Sequence, residues 1–157
     1  WKHKDDQDPI CVRSRTRYVF TLGGSPLTWS SKLQTEVALS TLEAEYIALS
    51  QAMRDLTPLR ELLKEIGTKL KMDFASPVIM HSTVFEDNNG CISLANSPRI
   101  TPRSKHIGTA HFFFKERIVD GSIEVAKIDT TEQKADIFTK AMTGSTFKTI
   151  RRLLMGW

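Results

Sequence analysis

The sequence has only two cysteines, no long apolar run and no secretory leader, and each absence excludes a class of protein. Cys11 and Cys91 lie far apart and form no CxxC pair, so we expect neither a disulfide framework nor a cysteine zinc site. No apolar run approaches the ~20 residues of a membrane-spanning helix. Without a signal peptide, we expect an intracellular protein, cytoplasmic or nuclear, with no membrane partner. The missing initiator Met predicts a fragment or a processed product.

The length and composition that remain are those of one globular domain. The chain has 157 residues, of which 40% are hydrophobic and 25% charged, values typical of a folded domain. We expect a single domain over residues 1–157, with a loop over 1–16, a core over 17–142 and a C-terminal helix over 143–157. The net charge of +4 favours a polyanionic partner.

Hydrophobic periodicity and turn residues predict the order of the elements. Residues 17–22 and 27–31 flank a Gly-Gly-Ser-Pro turn, as in a β-hairpin. Ser40 or Thr41 can cap the next helix, and Glu43 is placed for a capping box. We expect Thr57–Pro58 to break this helix, because proline is poorly tolerated in a helix interior, and a second piece to end at Gly67.

The second half of the chain predicts a strand, two helices, a strand and two further helices. We expect an extended run over 78–85, a short helix ending at 96 and a helix from about 105 to 119. A half-buried strand over 123–128, a helix capped by Thr131 and a helix over 147–154 follow. Together with the hairpin, these elements predict a mixed α/β layer fold.

Three carboxylates at the edges of apolar elements are the candidate catalytic groups. Glu45 is expected one turn into its helix, Asp87 after a strand, and Asp136 one turn into the helix that Thr131 caps. Two divalent ions held by converging carboxylates can activate water and stabilise the leaving oxygen of a phosphodiester. Each carboxylate also has an ordinary structural interpretation, as a helix cap or as a partner of the helix dipole.

A basic loop follows the candidate Asp87 strand. Arg99, Arg103 and Lys105 either contact phosphates or form a solvated loop. His106 and His111 are five residues apart and point in different directions on a helix, so we do not expect them to share a metal ion. We expect the aromatic run 112–114 to pack in the core rather than to stack on bases.

Five ordered blocks of the sequence resemble the ribonuclease H domain of copia-type retrotransposon polyproteins. The resemblance covers essentially the whole chain. The blocks are Trp29-Ser-Ser-Lys32 with Gln34, Ser40-Thr-Leu-Glu-Ala-Glu-Tyr-Ile-Ala-Leu49, Asp87-Asn with Ala95-Asn-Ser-Pro98, Lys105-His-Ile107 with His111-Phe112, and Ala135-Asp-Ile-Phe-Thr-Lys140.

The resemblance implies a ribonuclease H-like mixed sheet flanked by helices and an enzyme that hydrolyses RNA in RNA–DNA hybrids. It implies two Mg²⁺ or Mn²⁺ ions held by Glu45, Asp87 and Asp136, with Glu45 preferred over Glu43. We expect Arg99, Arg103 and Lys105 of the basic loop to contact nucleic acid, together with His106, which belongs to the matching Lys105-His-Ile107 block. The expected partners are the hybrid and the reverse transcriptase portion of the same polyprotein.

Three departures from the family pattern predict impaired activity. The family carries a further aspartate on a first strand, which this sequence lacks, and Asp5, Asp6 and Asp8 correspond to the loop after that strand. Gly108 stands where the pattern has aspartate, and Thr57–Pro58 interrupts a helix. A protein partner that supplies the missing strand is therefore expected. The alternatives are a non-catalytic remnant, kept as a nucleic-acid-binding or protein-interaction module, and a different nuclease or integrase-like member of the fold group.

Overall fold

Four strands and four α-helices make up the part of the chain that the computed structural model describes, residues 13–72, 80–97, 113–138 and 140–157. A short 3₁₀ helix, Lys134–Phe138, lies between the last strand and the last α-helix. The order is β1 Arg15–Leu22, β2 Ser25–Leu33, α1 Thr41–Lys69, β3 Ser82–Glu86, α2 Asn89–Asn96, α3 Lys115–Val119, β4 Ile123–Lys127, the 3₁₀ helix and α4 Gly144–Met155. None of the described helices is long and apolar enough to cross a membrane.

The β1–β2 hairpin confirms the sequence prediction. Gly23 and Gly24 have φ values of +58° and +84°, which is the backbone of the tight turns whose twist matches that of a two-stranded ribbon. The strands are antiparallel, with Tyr18 opposite Ser30 and Val19 opposite Trp29. β1 begins at Arg15, two residues before the expected start of the core.

Helix α1 runs unbroken through Pro58, so the predicted break was wrong. Ser40 accepts a hydrogen bond from the amide of Glu43, and the Glu43 carboxylate accepts one from the amide of Leu39. Pro58 lies on the exposed side of the helix, where water can solvate the carbonyl that proline leaves without a donor. Burial of the opposite face therefore outweighs the cost of proline, and the helix continues past Gly67 to Lys69.

The second sheet pairs β3 and β4 in parallel, with Val84 opposite Val125. The expected strands and the short helix α2 are confirmed, whereas residues 98–112 of the expected basic loop and helix lie outside the described residues. The helix expected over 131–138 is instead the 3₁₀ helix from Lys134. Thr131 does not cap it, because its amide and hydroxyl both donate to Asp129.

The two sheets are not hydrogen-bonded to each other within the described residues. β1 and β3 face one another across a cavity of about 810 Å³ whose floor is helix α1; we call this cavity the inter-sheet groove. The architecture, small sheets flanked by helices, confirms the expected α/β class and agrees with a ribonuclease H-like fold. No strand of the described chain lies between β1 and β3.

Helix α1 supplies more of the buried core cluster than any other described element. The cluster of buried side chains joins α1 to α2, β4 and the residue before α3: Tyr46, Leu49, Met53, Leu56, Cys91, Ala95, Phe114, Ile123 and Val125. Phe114 is 1% exposed and Phe113 is 43% exposed. Phe114 therefore packs in the core as expected, whereas Phe113 is exposed. Phe112 lies outside the described residues.

A buried arginine attaches the beginning of the second sheet to α1. Arg60 is 2% exposed, and its guanidinium donates to the carbonyls of Met80 at 2.6 Å and Ser122 at 2.9 Å and to the hydroxyl of Ser82. Burial lowers the pKa of Arg60. The guanidinium satisfies backbone acceptors at the start of both strands of the sheet.

We predict that Arg60→Ala lowers the free energy of unfolding by about 3 kcal/mol or more, because it leaves buried carbonyls without donors. Lys64→Ala, one turn later, is the control: its ion pair with Glu61 is exposed, and its loss should cost less than about 1 kcal/mol. Urea unfolding of the unsubstituted protein, Arg60→Ala and Lys64→Ala measures both changes in the free energy of unfolding. Equal stabilities of the two variants would contradict the anchoring role of Arg60.

Candidate functional site: a carboxylate cluster around Arg17

Carboxylates from two elements, Glu45 of α1 and Asp136 of the 3₁₀ helix, contact the guanidinium of Arg17 near one end of the inter-sheet groove. Arg17 Nη2 lies 2.9 Å from Asp136 Oδ1 and 3.6 Å from Glu45 Oε1, and Arg17 Nε also donates to Asp136 Oδ1 at 3.0 Å. Lys140 Nζ lies 2.6 Å from Asp136 Oδ2. Both Asp136 oxygens therefore accept from a cation, and the Asp136 side chain is almost fully buried.

The 3₁₀ helix places Asp136 beside the hairpin. The amide of Asp136 donates to the carbonyl of Gln133, and its own carbonyl accepts from the amide of Lys140. This second bond brings the Lys140 side chain back onto the carboxylate. Trp29 stacks against Phe138 with ring centroids 6.3 Å apart, and Ser31 donates to the Phe138 carbonyl, so the 3₁₀ helix is held against β2.

Asp87 occupies the exposed rim of the same region. It follows the last residue of β3, is half-buried, and accepts a hydrogen bond from Thr130 at 3.0 Å. Burial raises the pKa of Glu45, the Arg17 charge opposes that increase, and the charges of Asp87 and Asp136 add to it. Glu45 and Asp136 therefore share Arg17 directly, whereas Asp87 acts on Glu45 only through its charge.

A fourth carboxylate, Glu86, was missed by the sequence reasoning. Its side chain accepts from the amide of Asn88 at 3.0 Å and is 8% exposed. Burial raises the pKa of Glu86 to about 7, the Asn88 hydrogen bond opposes this, and the charges of Glu45 and Asp87 add to it. The signal was the period of the strand, because Glu86 shares the inward face of β3 with Val84.

The described carboxylates, as arranged, do not form a site for divalent ions. No group of three or more His, Cys, Asp or Glu side chains in the described ranges could hold a metal ion. Arg17 and Lys140 instead supply the positive charge that Asp136 and Glu45 require. The expected magnesium or manganese set of Glu45, Asp87 and Asp136 is thus not grouped around a common ion position in the described residues, and its catalytic role stays a prediction.

Several other candidate residues lie outside the described part of the chain. These are the basic and histidine residues of the expected nucleic-acid contact and the N-terminal aspartates: Arg99, Arg103, Lys105, His106, His111, Asp5, Asp6 and Asp8. Glu43, the alternative to Glu45, is used at the N-terminus of α1. Cys91 is buried in the core, and burial raises the pKa of its thiol.

The chain is similar to parts of retrotransposon polyproteins. It is 34% identical over 142 residues to the "Retrovirus-related Pol polyprotein from transposon TNT 1-94" of Nicotiana tabacum, covering 90% of this chain and 10% of that protein. It is 32% identical over 139 residues to the corresponding polyprotein from transposon RE2 of Arabidopsis thaliana, covering 88% and 9%. A more distant relative is the "Transposon Ty1-DR1 Gag-Pol polyprotein" of Saccharomyces cerevisiae, 28% identical over 137 residues, covering 87% and 7%.

These relatives support the copia-type resemblance at the level of the polyprotein. The chain spans about a tenth of the length of the curated relatives it matches, so it is homologous to a segment of a retrotransposon Pol polyprotein. No protein-family model matches the chain, and no solved structure matches it.

The buried Glu86 predicts an unusual dependence of stability on pH. Its pKa is about 7 in the folded state and close to 4.5 when unfolded. Between these values the native state therefore binds the extra proton. The contribution of Glu86 to the free energy of unfolding is greatest below about pH 4.5, falls as pH rises to about 7 and is flat above. Glu86→Gln should abolish this fall and stabilise the protein at pH 8, by on the order of 2 kcal/mol.

Urea unfolding at pH 5, 6, 7 and 8 measures the effect. Glu124→Gln is the matched control, because Glu124 lies on β4 with 61% of its side chain exposed, and it should leave the pH dependence unchanged. The same slope in Glu86→Gln and in the unsubstituted protein would show that Glu86 ionises normally.

Proposed function

We propose that this chain is the ribonuclease H-like segment of a retrotransposon Pol polyprotein, whose reaction is metal-dependent hydrolysis of RNA in RNA–DNA hybrids. Three observations support the proposal. The homology covers about nine-tenths of the chain, the α/β architecture agrees with the fold, and Glu45 and Asp87 line one groove while Asp136 shares the Arg17 guanidinium with Glu45.

The proposal rests mainly on the positions of Glu45, Asp87 and Asp136. They come from a helix, the end of a strand and a 3₁₀ helix that are distant in sequence, and burying several acids together is unfavourable unless they are used or neutralised. Burial raises the pKa values of Glu45 and Glu86, which is the expected effect of placing carboxylates close together away from water. Perturbed carboxylates in a groove favour a functional site over an ordinary packing arrangement.

The same geometry predicts that the segment is a poor hydrolase by itself. Mg²⁺ or Mn²⁺ ions would supply activated water and leaving-group stabilisation, but two of the carboxylates that would hold them, Glu45 and Asp136, are paired with Arg17 and Lys140. We propose that a further carboxylate from outside these residues completes the site. The proposed partners are the hybrid, contacted through Arg99, Arg103, Lys105 and His106, and the reverse transcriptase portion of the polyprotein. The proposed location is intracellular.

A non-catalytic module is the second candidate function. The observation that favours it is the pairing of Asp136 with two cationic side chains, one of them at 2.6 Å. Internal ion pairs of this kind keep the cluster stable without any metal. In that case the fold serves to bind nucleic acid or another protein.

Cleavage of a labelled RNA–DNA hybrid in Mg²⁺ or Mn²⁺ tests the proposal. We expect the 157-residue chain to cleave extremely slowly or not at all, because its carboxylates offset too little of the repulsion between two dications. Asp87→Asn, assayed beside it, shows whether any residual cleavage uses this cluster. Robust cleavage by the chain that is lost in Asp87→Asn would contradict our view that the site is incomplete.

Arg17→Gln tests whether the guanidinium replaces a bound cation. Glu45 and Asp136 should then repel each other, and we expect a lower Tm without divalent ions and a partial recovery in millimolar Mn²⁺. Arg13 is exposed and lies two residues before β1, so Arg13→Gln is the control. Its Tm should neither fall without divalent ions nor rise when Mn²⁺ is added. A Tm of Arg17→Gln that does not depend on Mn²⁺ would favour the non-catalytic module.

A further inference from the structure

All of the net positive charge of the chain lies in residues 137–157. This segment contains four lysines and arginines and no aspartate or glutamate, whereas residues 1–136 contain eighteen residues of each sign. One of the four, Lys140, is paired with Asp136. The other three, Lys148, Arg151 and Arg152, belong to α4, and none of them forms an ion pair within the described ranges. Positive charge gathered on one helix favours contact with an anionic molecule.

The apolar side of α4 fixes the helix to the protein and leaves its basic side in solvent. Ile150 and Leu154 are 1% and 7% exposed, and α4 packs against the 3₁₀ helix and β2. Lys148 and Arg152 are exposed. They are four residues apart, so they share one face and lie about 6 Å apart along the helix axis. Two long basic side chains on neighbouring turns can each contact a separate phosphate of one nucleic-acid strand.

Trp157 and Arg151 form an aromatic platform at the end of the same helix. Gly156 has a φ of +81°, a conformation that glycine adopts without strain, and its amide donates to the Arg152 carbonyl at 2.8 Å. The Arg151 guanidinium lies 5.1 Å from the centre of the Trp157 ring, and Trp157 is 68% exposed. An indole ring held by a guanidinium and otherwise open to solvent can stack on an unpaired base.

Basic side chains next to an exposed aromatic ring are the combination that binds single-stranded nucleic acid. An anionic membrane also attracts a basic helix, but binding to it requires an apolar helix face that enters the lipid. The apolar face of α4 is already buried, through Ile150 and Leu154. The surface therefore fits a nucleic-acid strand better than a membrane.

The position of α4 relates this surface to the rest of the molecule. Leu153 lines the inter-sheet groove, and the 3₁₀ helix against which α4 packs carries Asp136. A strand that lies along α4 would therefore run beside the groove and the carboxylates near its end.

We propose that α4 and Trp157 bind one single strand of nucleic acid, with Lys148 and Arg152 on its phosphates and Trp157 stacked on one of its bases. This binding surface is separate from the carboxylate cluster and from the basic loop. It goes beyond the proposed function and needs no hydrolysis, so it is expected in a hydrolase and in a non-catalytic module alike.

Fluorescence anisotropy with a labelled twelve-nucleotide thymidylate strand, measured in EDTA over a range of salt concentrations, tests the phosphate contacts. Lys148→Gln/Arg152→Gln should weaken binding at least about tenfold at low salt. The slope of log affinity against log salt should fall by about 1.4, because each phosphate contact to a single strand contributes about 0.7.

Lys64→Gln/Lys69→Gln is the matched control, because it removes the same two charges from α1, where both lysines are paired with glutamates. Its slope should change by less than about half as much. The exchange Lys148→Arg/Arg152→Lys keeps both charges on α4 and should keep the slope. Equal slopes in the two glutamine variants, or no binding by the unsubstituted chain, would overturn the proposal.

The stacking contact is tested with a second strand of the same length that carries no bases. Trp157→Ala should weaken binding to the thymidylate strand at least about fivefold and leave binding to the abasic strand unchanged, whereas Trp157→Phe should retain most of the affinity. Equal losses for both strands would overturn the stacking role. Binding to phosphatidylserine vesicles without binding to either strand would show that the surface serves a membrane. Because no cleavage is measured, a failure here leaves the proposed hydrolysis to its own assay.

Discussion

The ion pairs of Arg17 connect three parts of the molecule that share no backbone hydrogen-bond ladder. The guanidinium lies on β1, touches Glu45 on α1 and binds Asp136 in the 3₁₀ helix. A carboxylate as buried as Asp136 is stable only when it is paired and hydrogen-bonded. The position of the hairpin against α1 and the folding of residues 134–138 onto it therefore depend on one another. Loss of the cation would leave an uncompensated charge in the interior, which is the costly way to break such a pair.

Helix α1 is the second element on which the structure depends, because it packs against β1 and shares a buried cluster with β4 of the second sheet. Its 29 residues span about 43 Å, enough to hold the carboxylate cluster near Glu45 and the buried Arg60 near the opposite end of β3. A shorter helix broken at Pro58 would separate these two functions. The continuous helix contributes to the packing of both sheets, although no ladder joins these sheets within the described residues.

The parts of the fold that were predictable are those encoded by neighbouring residues. Gly23 and Gly24 determine the hairpin, and Ser40 with Glu43 determines the start of α1. The failures have a common cause, which is that tertiary contacts outweigh local preference. Pro58 is tolerated because the other face of α1 is buried, and residues 134–138 form a 3₁₀ helix whose Asp136 lies against Arg17.

In the candidate site, too, the predictable residues are those marked by their local sequence position, and the others depend on tertiary packing. Glu45, Asp87 and Asp136 could be selected from sequence because each lies at a recognisable position of an element. The roles of Arg17 and Glu86 could not, because both depend on which elements pack together. Arg17 is one of several basic residues in the sequence, and only the structure distinguishes it by its contacts with Asp136 and Glu45. Glu86 is distinguished from Asp87 by burial, which follows from the face of β3 that meets α1.

The inter-sheet groove and the carboxylate cluster are physically continuous, and this has a consequence for their energetics. Glu45, Glu86 and Asp87 line the end of the groove, so the groove and these acids share one surface. Desolvation raises the pKa values of Glu45 and Glu86, and a cation bound beside them would favour the charged carboxylates. Cation binding and deprotonation of these carboxylates are therefore linked, and each favours the other by the same factor.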